Sequence, residues 1–331
     1  MYNEYKYQCR DESILLNPFK KVVVTPLMKF MPYKIPANTI TIISNIFLYY
    51  ALYLSFIHDG TPANFLIVSS LIFAYVVGDH FDGMQARRTG TGSPLGEFCD
   101  HYLDIFNNGI ILIIIFNLFN VTNSYIVASA FFLSYLCHSA IIYEQLVTKW
   151  LIFENIGSLE GIFITLTILI SSHFAPVREF FMWKVFSNLS IIEIVLLTSL
   201  ILGTSTLVRV SIRVGKFSVK FLTYVLMLGF ISIYAIKFLS FNYLVILLTL
   251  YNSIYIGNLM KAHLIDSKER FADFIVPALI LMDLLFFKGS AAEFHFIAIL
   301  YMIMYLSFIT VTVAYPLREF WFWVNPSNKE V

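Results

Sequence analysis

Ten apolar stretches dominate this chain, near residues 39–58, 63–81, 103–121, 124–146, 158–175, 189–212, 217–239, 242–262, 271–288 and 293–315. Each approaches the roughly 20 residues an α-helix needs to cross a hydrocarbon core about 30 Å thick. No water is present there to satisfy backbone N–H and C=O groups, so only helices or a closed barrel can span. Unbroken runs such as Ile110–Phe116 lack the alternation of a barrel strand, which selects helices. Composition agrees: of 331 residues, 59% are hydrophobic and only 13% charged, against roughly 25% charged in a soluble domain. These proportions exclude a soluble enzyme, a disordered chain, a coiled coil and a disulfide scaffold. The expected fold is an all-α polytopic membrane protein of about ten transmembrane helices.

With charge so scarce, its placement is informative. The formal net charge is +1, so no overall field points to nucleic acid. Counted from the N-terminus, alternate loops hold 18 of the 22 Lys and Arg residues, and the intervening loops hold the other four. The positive-inside rule then places both termini in the cytoplasm. Residues 1–37 interleave six basic residues with apolar ones and are broken by Pro18, Pro26, Pro32 and Pro36. They read as an amphipathic segment lying on the membrane surface rather than a signal peptide; an ordinary solvated leader is the alternative. Cys9, Cys99 and Cys137 match no zinc or redox spacing and imply no bridge.

One stretch breaks the apolar pattern, and it carries five of the 21 acidic residues, four of them aspartates. Asp79 and Asp82 stand three apart at the cytoplasmic end of the second span, Asp100 and Asp104 four apart at the start of the third. Those spacings put each pair on one helix face. A short loop makes the two helices antiparallel, so all four carboxylates are expected to converge at one depth. Such a cluster beside a low-dielectric medium requires neutralisation. Two divalent cations would offset it, and an oxygen-only ligand set favours Mg²⁺ or Mn²⁺. Arg87 is placed to reach a phosphate, Gly83 and Gly96 leave room for close approach, and Pro94 starts the third helix. The chemistry implied is two-metal phosphoryl transfer; the alternative is a loop of merely solvated carboxylates.

The run Asp79-x-x-Asp82-Gly83-x-x-Ala86-Arg87, eight residues, Gly96-x-x-x-Asp100-x-x-x-Asp104 resembles the full signature of the CDP-alcohol phosphotransferases. The wording Gln85-Ala86-Arg87-Arg88-Thr89-Gly90, Ser93-Pro94-Leu95-Gly96-Glu97 and Asp100-His101 is similar to the choline/ethanolamine phosphotransferase branch. Outside it, Asn38-Thr39-Ile40-Thr41, Ala262-His263 and Pro277-Ala278-Leu279 through Asp283 resemble that branch more loosely, with Ala37 separating Pro36 from Asn38. The resemblance implies transfer of phosphocholine or phosphoethanolamine from CDP-choline or CDP-ethanolamine to the hydroxyl of diacylglycerol, with release of CMP. It implies that Asp79, Asp82, Asp100 and Asp104 hold the metals, and that Asn38, Gly83, Ala86, Arg87 and Gly96 bind substrate. Either His101 or Asp104 would take the hydroxyl proton. Residues 38–212 would be the catalytic helix bundle, 213–316 additional spans and 317–331 a cytoplasmic tail. A homodimer is implied, in the endoplasmic reticulum or Golgi of a eukaryote or the inner membrane of a bacterium.

Two other readings compete. A CDP-diacylglycerol-dependent synthase with a polar alcohol acceptor is expected to have about six spans. An ion-coupled transporter would hold its carboxylates near the bilayer midplane on broken helices. Among the remaining ionisable residues, Glu160 and Glu193 either cap helix N-termini or, for Glu160, touch substrate or orient His101. His138 and Asp283 are candidate hydrogen-bond partners between helices.

Overall fold

A computed structural model describes residues 8–58, 60–185 and 189–318; the rest of the expected tail, 319–331, lies outside the described residues. The chain opens with strand β1 (Cys9–Asp11) and a helical arm, α1, over residues 16–28. Within α1, Lys20–Val24 form a wider π-type turn. Its five-residue step keeps Phe19 and Val24 on the buried face with Leu16 and Met28. Val22, Leu27 and Phe30 are exposed on the outer side.

The bundle follows as α2 (Ala37–Phe56), α3 (Pro62–Thr89), α4 (Pro94–Leu118), α5 (Ser124–Thr148), strand β2 (Leu151–Phe153) and α6 (Ser158–Ser171). Then come α7 (Ala175–Met182), α8 (Ile191–Val214), α9 (Val219–Phe238), α10 (Phe241–Asp266), α11 (Ile275–Phe287) and α12 (Ala292–Leu317). Among the described residues, eight of these (α2–α5, α8–α10 and α12) are long and apolar enough to cross a membrane. The chain is an all-α integral membrane protein, and each of the ten expected spans falls on a helix. The fifth and ninth, α6 and α11, are shorter than a full span. Even so, α6 runs along the membrane part of α3. Phe163 near its start packs on Phe19 at 5.2 Å, and His173 beyond its end lies 3.1 Å from the Pro62 carbonyl.

Each of α3, α4 and α5 reverses the direction of the helix before it, whereas α8 runs parallel to α5 and α12 parallel to α10. At one end, Arg213 of α8 meets Glu144 of α5, and Lys261 of α10 donates to Thr312 of α12 at 2.8 Å. At the other, His58 lies 3.1 Å from the Asn117 carbonyl. Between Tyr251 and Met260, α10 is buried on every side, as a helix in the centre of a bundle must be.

Two features depart from a purely helical expectation or extend it. β1 pairs with β2 in parallel, Cys9 opposite Leu151 and Asp11 opposite Phe153. Further backbone bonds, Glu12 N–H to Phe153 O (3.0 Å) and Ile14 N–H to Asn155 O (3.2 Å), satisfy groups of the arm that have no helix to join. Glu160 completes this attachment. Its Oε2 accepts from the Gly157 amide (2.8 Å) as the cap of α6, while Oε1 accepts from the Ser13 hydroxyl (2.5 Å) and the Leu15 amide (3.1 Å). Glu193 closes a capping box with Ser190 at the start of α8. Both are therefore caps. Asp283 is fully buried, accepting from the Tyr234 hydroxyl and the Ala291 amide. His138 makes no hydrogen bond among the described residues, so only Asp283 fits the internal-partner reading. None of the three cysteines is in a disulfide.

Candidate active site

The sequence builds this site by ending one helix and starting another over four residues. α3 stops at Gly90, whose φ of 68° lies in the left-handed region that glycine adopts at low cost. Ser93 then caps α4, its hydroxyl accepting from the Gly96 amide (3.1 Å), and Pro94 occupies the first turn, where its missing N–H costs nothing. The end of α3 and α4 both lie against α2, with the carboxylates of Asp79, Asp82 and Asp100 turned toward one another.

Asp79 and Asp82 on α3 and Asp100 on α4 bring carboxylate oxygens within 4.8 Å of one another. Asp104 lies outside that 4.8 Å group but close enough for its charge to act on all three. One turn further along α4, its Oδ1 accepts from the Tyr75 hydroxyl (3.1 Å) and from Asn107 Nδ2 (3.2 Å). These two polar groups fix the orientation of its carboxylate. A third helix enters through Thr41, which donates to Asp82 Oδ2 at 2.7 Å. Among the described residues no Lys or Arg forms an ion pair with Asp79, Asp82 or Asp100. Three acidic groups so close, with oxygen donors only and no cationic side chain between them, fit a hard divalent cation.

The other expected residues ring this cluster. Ala86 lies seven residues after Asp79 and so shares its face of α3. Arg87 is exposed and folds back along the helix, so that a Cβ added to Gly83 would stand 3.7 Å from its Nη1. Asn38 is buried at the start of α2 with no partner for its Nδ2, and a Cβ on Gly96 would come within 3.0 Å of its Oδ1. Only glycine lets α4 approach Asn38 this closely. Gln85 and Arg88 do not face the carboxylates. They hold the loop before α2, Gln85 Nε2 donating to the carbonyls of Pro32 (3.0 Å) and Ile35 (2.6 Å) and Arg88 to that of Met31 (2.9 Å).

His101 is buried directly after Asp100 and close enough to feel the charge of both Asp100 and Asp104. One turn earlier, Glu97 accepts from Gln145 Nε2 at 2.9 Å and lies 3.8 Å from His263 Nε2 of α10. Thr41, Tyr75, Glu97, Asn107, Gln145 and His263 thus belong to the site, though sequence reasoning gave none of them a role. The available signal was polarity inside apolar spans, with Thr41 three residues after Asn38 and Glu97 four before His101.

An integral membrane bundle that gathers three carboxylates on a helix–turn–helix is the class this geometry defines. The sequence pattern described as CDP-alcohol phosphatidyltransferase matches residues 34–186, from the loop before α2 to just past α7. Choline/ethanolaminephosphotransferase 1 of Arabidopsis thaliana is 35% identical over 108 residues, 31% of this chain and 28% of that protein. Cholinephosphotransferase 1 of Saccharomyces cerevisiae is 32% identical over 117 residues, covering 33% and 29%. Cholinephosphotransferase 1 of Rattus norvegicus is 35% identical over 107 residues, covering 30% and 27%. The alignments span less than a third of these curated relatives. Residues 34–186 are a CDP-alcohol phosphatidyltransferase domain.

Proposed function

We propose that this protein transfers phosphocholine or phosphoethanolamine from the CDP-alcohol to the hydroxyl of diacylglycerol, forming phosphatidylcholine or phosphatidylethanolamine and releasing CMP. The observation that carries this reading is the convergence of Asp79, Asp82 and Asp100 within 4.8 Å, on the helix pair that bears the whole signature. Asp79, Asp82 and Asp100 would hold Mg²⁺ or Mn²⁺, with Asp104 completing the set for a second ion. A metal held there would supply positive charge to the phosphoryl oxygens and to the leaving CMP phosphate.

In the reaction a P–O bond forms between the diacylglycerol oxygen and the phosphorus that bears the amino alcohol, and the P–O–P anhydride breaks. The hydroxyl proton goes to His101, beside Asp100; Asp104 Oδ1 already accepts from Tyr75 and Asn107. Arg87 bonds the diphosphate, and the unpaired Asn38 Nδ2 donates to the nucleotide. Diacylglycerol stays in the bilayer while the nucleotide arrives from water, so the reaction needs a site at the membrane surface. The outer apolar side of α1 suits a segment lying in that surface. The charge asymmetry favours the cytoplasmic face, and the protein is proposed to work as a homodimer.

Purified protein with diacylglycerol, Mg²⁺ or Mn²⁺ and each CDP-alcohol in turn should release CMP. Absence of CMP with every one would overturn the reading. Release only from CDP-diacylglycerol with a polar alcohol would instead mark a synthase of the other kind. Thr41→Val supplies a finer check. Removing the donor to Asp82 should weaken Mg²⁺ activation by about tenfold to a hundredfold, with the maximal rate at saturating Mg²⁺ much less affected.

A further inference from the structure

The arm α1 crosses α3 beside the carboxylates. Phe19 is buried, and its ring meets the edge of the His80 ring at 5.1 Å. His80, Gly83 and Arg87 are three and four residues apart, so they form one stripe of α3. That stripe flanks the face bearing Asp79, Asp82 and Ala86. Lys20 follows Phe19 and stands half-buried over the stripe, close enough to feel the charge of Arg87 and to act on His80.

Among the described residues neither Lys20 nor Arg87 makes an ion pair or a side-chain hydrogen bond. Asp11 faces Lys20 from β1 without pairing, and its Oδ1 accepts from the Ser13 amide at 2.9 Å. Burial and the charge of Arg87 hold the Lys20 ammonium below the usual lysine range. The fold therefore brings two like charges together with only the unpaired Asp11 carboxylate as a nearby counter-charge. It also fixes the approach, because the β1–β2 pairing just before α6 and Glu160 in its first turn tether the arm. On α3, Gly83 stands between this stripe and the carboxylate face, and a side chain there would meet only the Arg87 guanidinium.

We propose that Lys20 and Arg87 form a two-cation clamp for the diphosphate of the nucleotide substrate, the N-terminal arm supplying the second cation. The clamp rests on the nucleotide reading given above and adds a residue outside the signature and outside residues 34–186. Diphosphate oxygens turned away from the carboxylates need partners, and the stripe offers them two. Phosphates of anionic lipids share this chemistry, but with Gly83 no side chain separates the cations from the carboxylate face on α3, which favours the nucleotide.

Lysine acylation read by mass spectrometry tests the clamp on the full chain in micelles. CDP, and inorganic pyrophosphate with Mg²⁺, should slow modification of Lys20 by about tenfold, while exposed Lys21 and Lys34 react as before. Protection of Lys20 by phosphatidylserine alone, without protection by CDP, would assign the cations to a lipid headgroup and overturn the proposal. Protection by neither would overturn it as well. In turnover, Lys20→Gln should raise the KM for the CDP-alcohol about tenfold with kcat nearly unchanged. Lys20→Arg should stay near the parent value, and Lys21→Gln should match it. If pyrophosphate protects Lys20 but no CDP-alcohol is turned over, the clamp stands and the proposed reaction falls. Turnover with Lys20 unprotected, and an unaltered KM in Lys20→Gln, sinks the clamp alone.

Discussion

Asp82→Asn is expected to lower kcat by on the order of a thousandfold while leaving the protein folded. The substitution is nearly isosteric, and an amide oxygen can still accept from the Thr41 hydroxyl that now bonds Asp82 Oδ2 at 2.7 Å. What disappears is one negative charge from a group of three carboxylates within 4.8 Å. Without divalent cation those charges repel, so the variant should melt at the same temperature as the parent or higher. With Mg²⁺ the order should reverse, because ligand binding stabilises only the protein that binds it. Melting curves with and without Mg²⁺, together with kcat at saturating Mg²⁺, give both halves of the expectation. An Asp82→Asn protein that kept a tenth of the parent rate, or that gained as much stability from Mg²⁺, would remove Asp82 from the metal set.

The pairing of charge loss with unchanged folding follows from how the site is assembled. The turn at 90–93 and the three- and four-residue spacings of the carboxylates are local, so they were readable in the sequence. The positions of the apolar spans were readable for the same reason. The hydrogen bond from Tyr75 to Asp104 was not, because it depends on how α3 faces α4. Thr41 comes from a different helix altogether. Its bond to Asp82 depends on how α2 lies against α3, which no periodicity encodes. The pairing of Cys9–Asp11 with Leu151–Phe153 joins segments some 140 residues apart, and neither shows strand alternation by itself. The widened turn at Lys20–Val24 escaped for a third reason. A five-residue step between buried Phe19 and Val24 looks like broken helical periodicity until the backbone widens to accommodate it.

Arg213→Ala carries the largest expected cost to stability. Arg213 ends α8, outside residues 34–186, yet it holds the catalytic half together. Its Nε and Nη2 meet Glu144 of α5 at 2.5 and 2.9 Å, and Nη2 lies 2.6 Å from Glu154 in the turn after β2. Glu144 is fully buried, Glu154 is 4% exposed and Arg213 only 29%. Removing the cation would strand the Glu144 carboxylate with no other ion-pair partner among the described residues. Glu154 would keep only the half-exposed Arg209 at 3.2 Å. Breaking one partner out of a buried pair costs about 3–5 kcal/mol, mainly because the other charge stays buried. The double variant Arg213→Met with Glu144→Gln should recover much of that loss, since no uncompensated carboxylate remains at Glu144. Unfolding in mixed micelles against denaturant would measure both. A single variant that lost under about 1 kcal/mol would mean water reaches Glu144 when Arg213 leaves. If the cost is as expected, the loss should reach the arm as well. Glu154 anchors the turn between β2 and α6, and with it the β1–β2 pairing that carries Lys20 to α3. Acylation of Lys20 should then quicken in Arg213→Ala under conditions where the bundle is still folded.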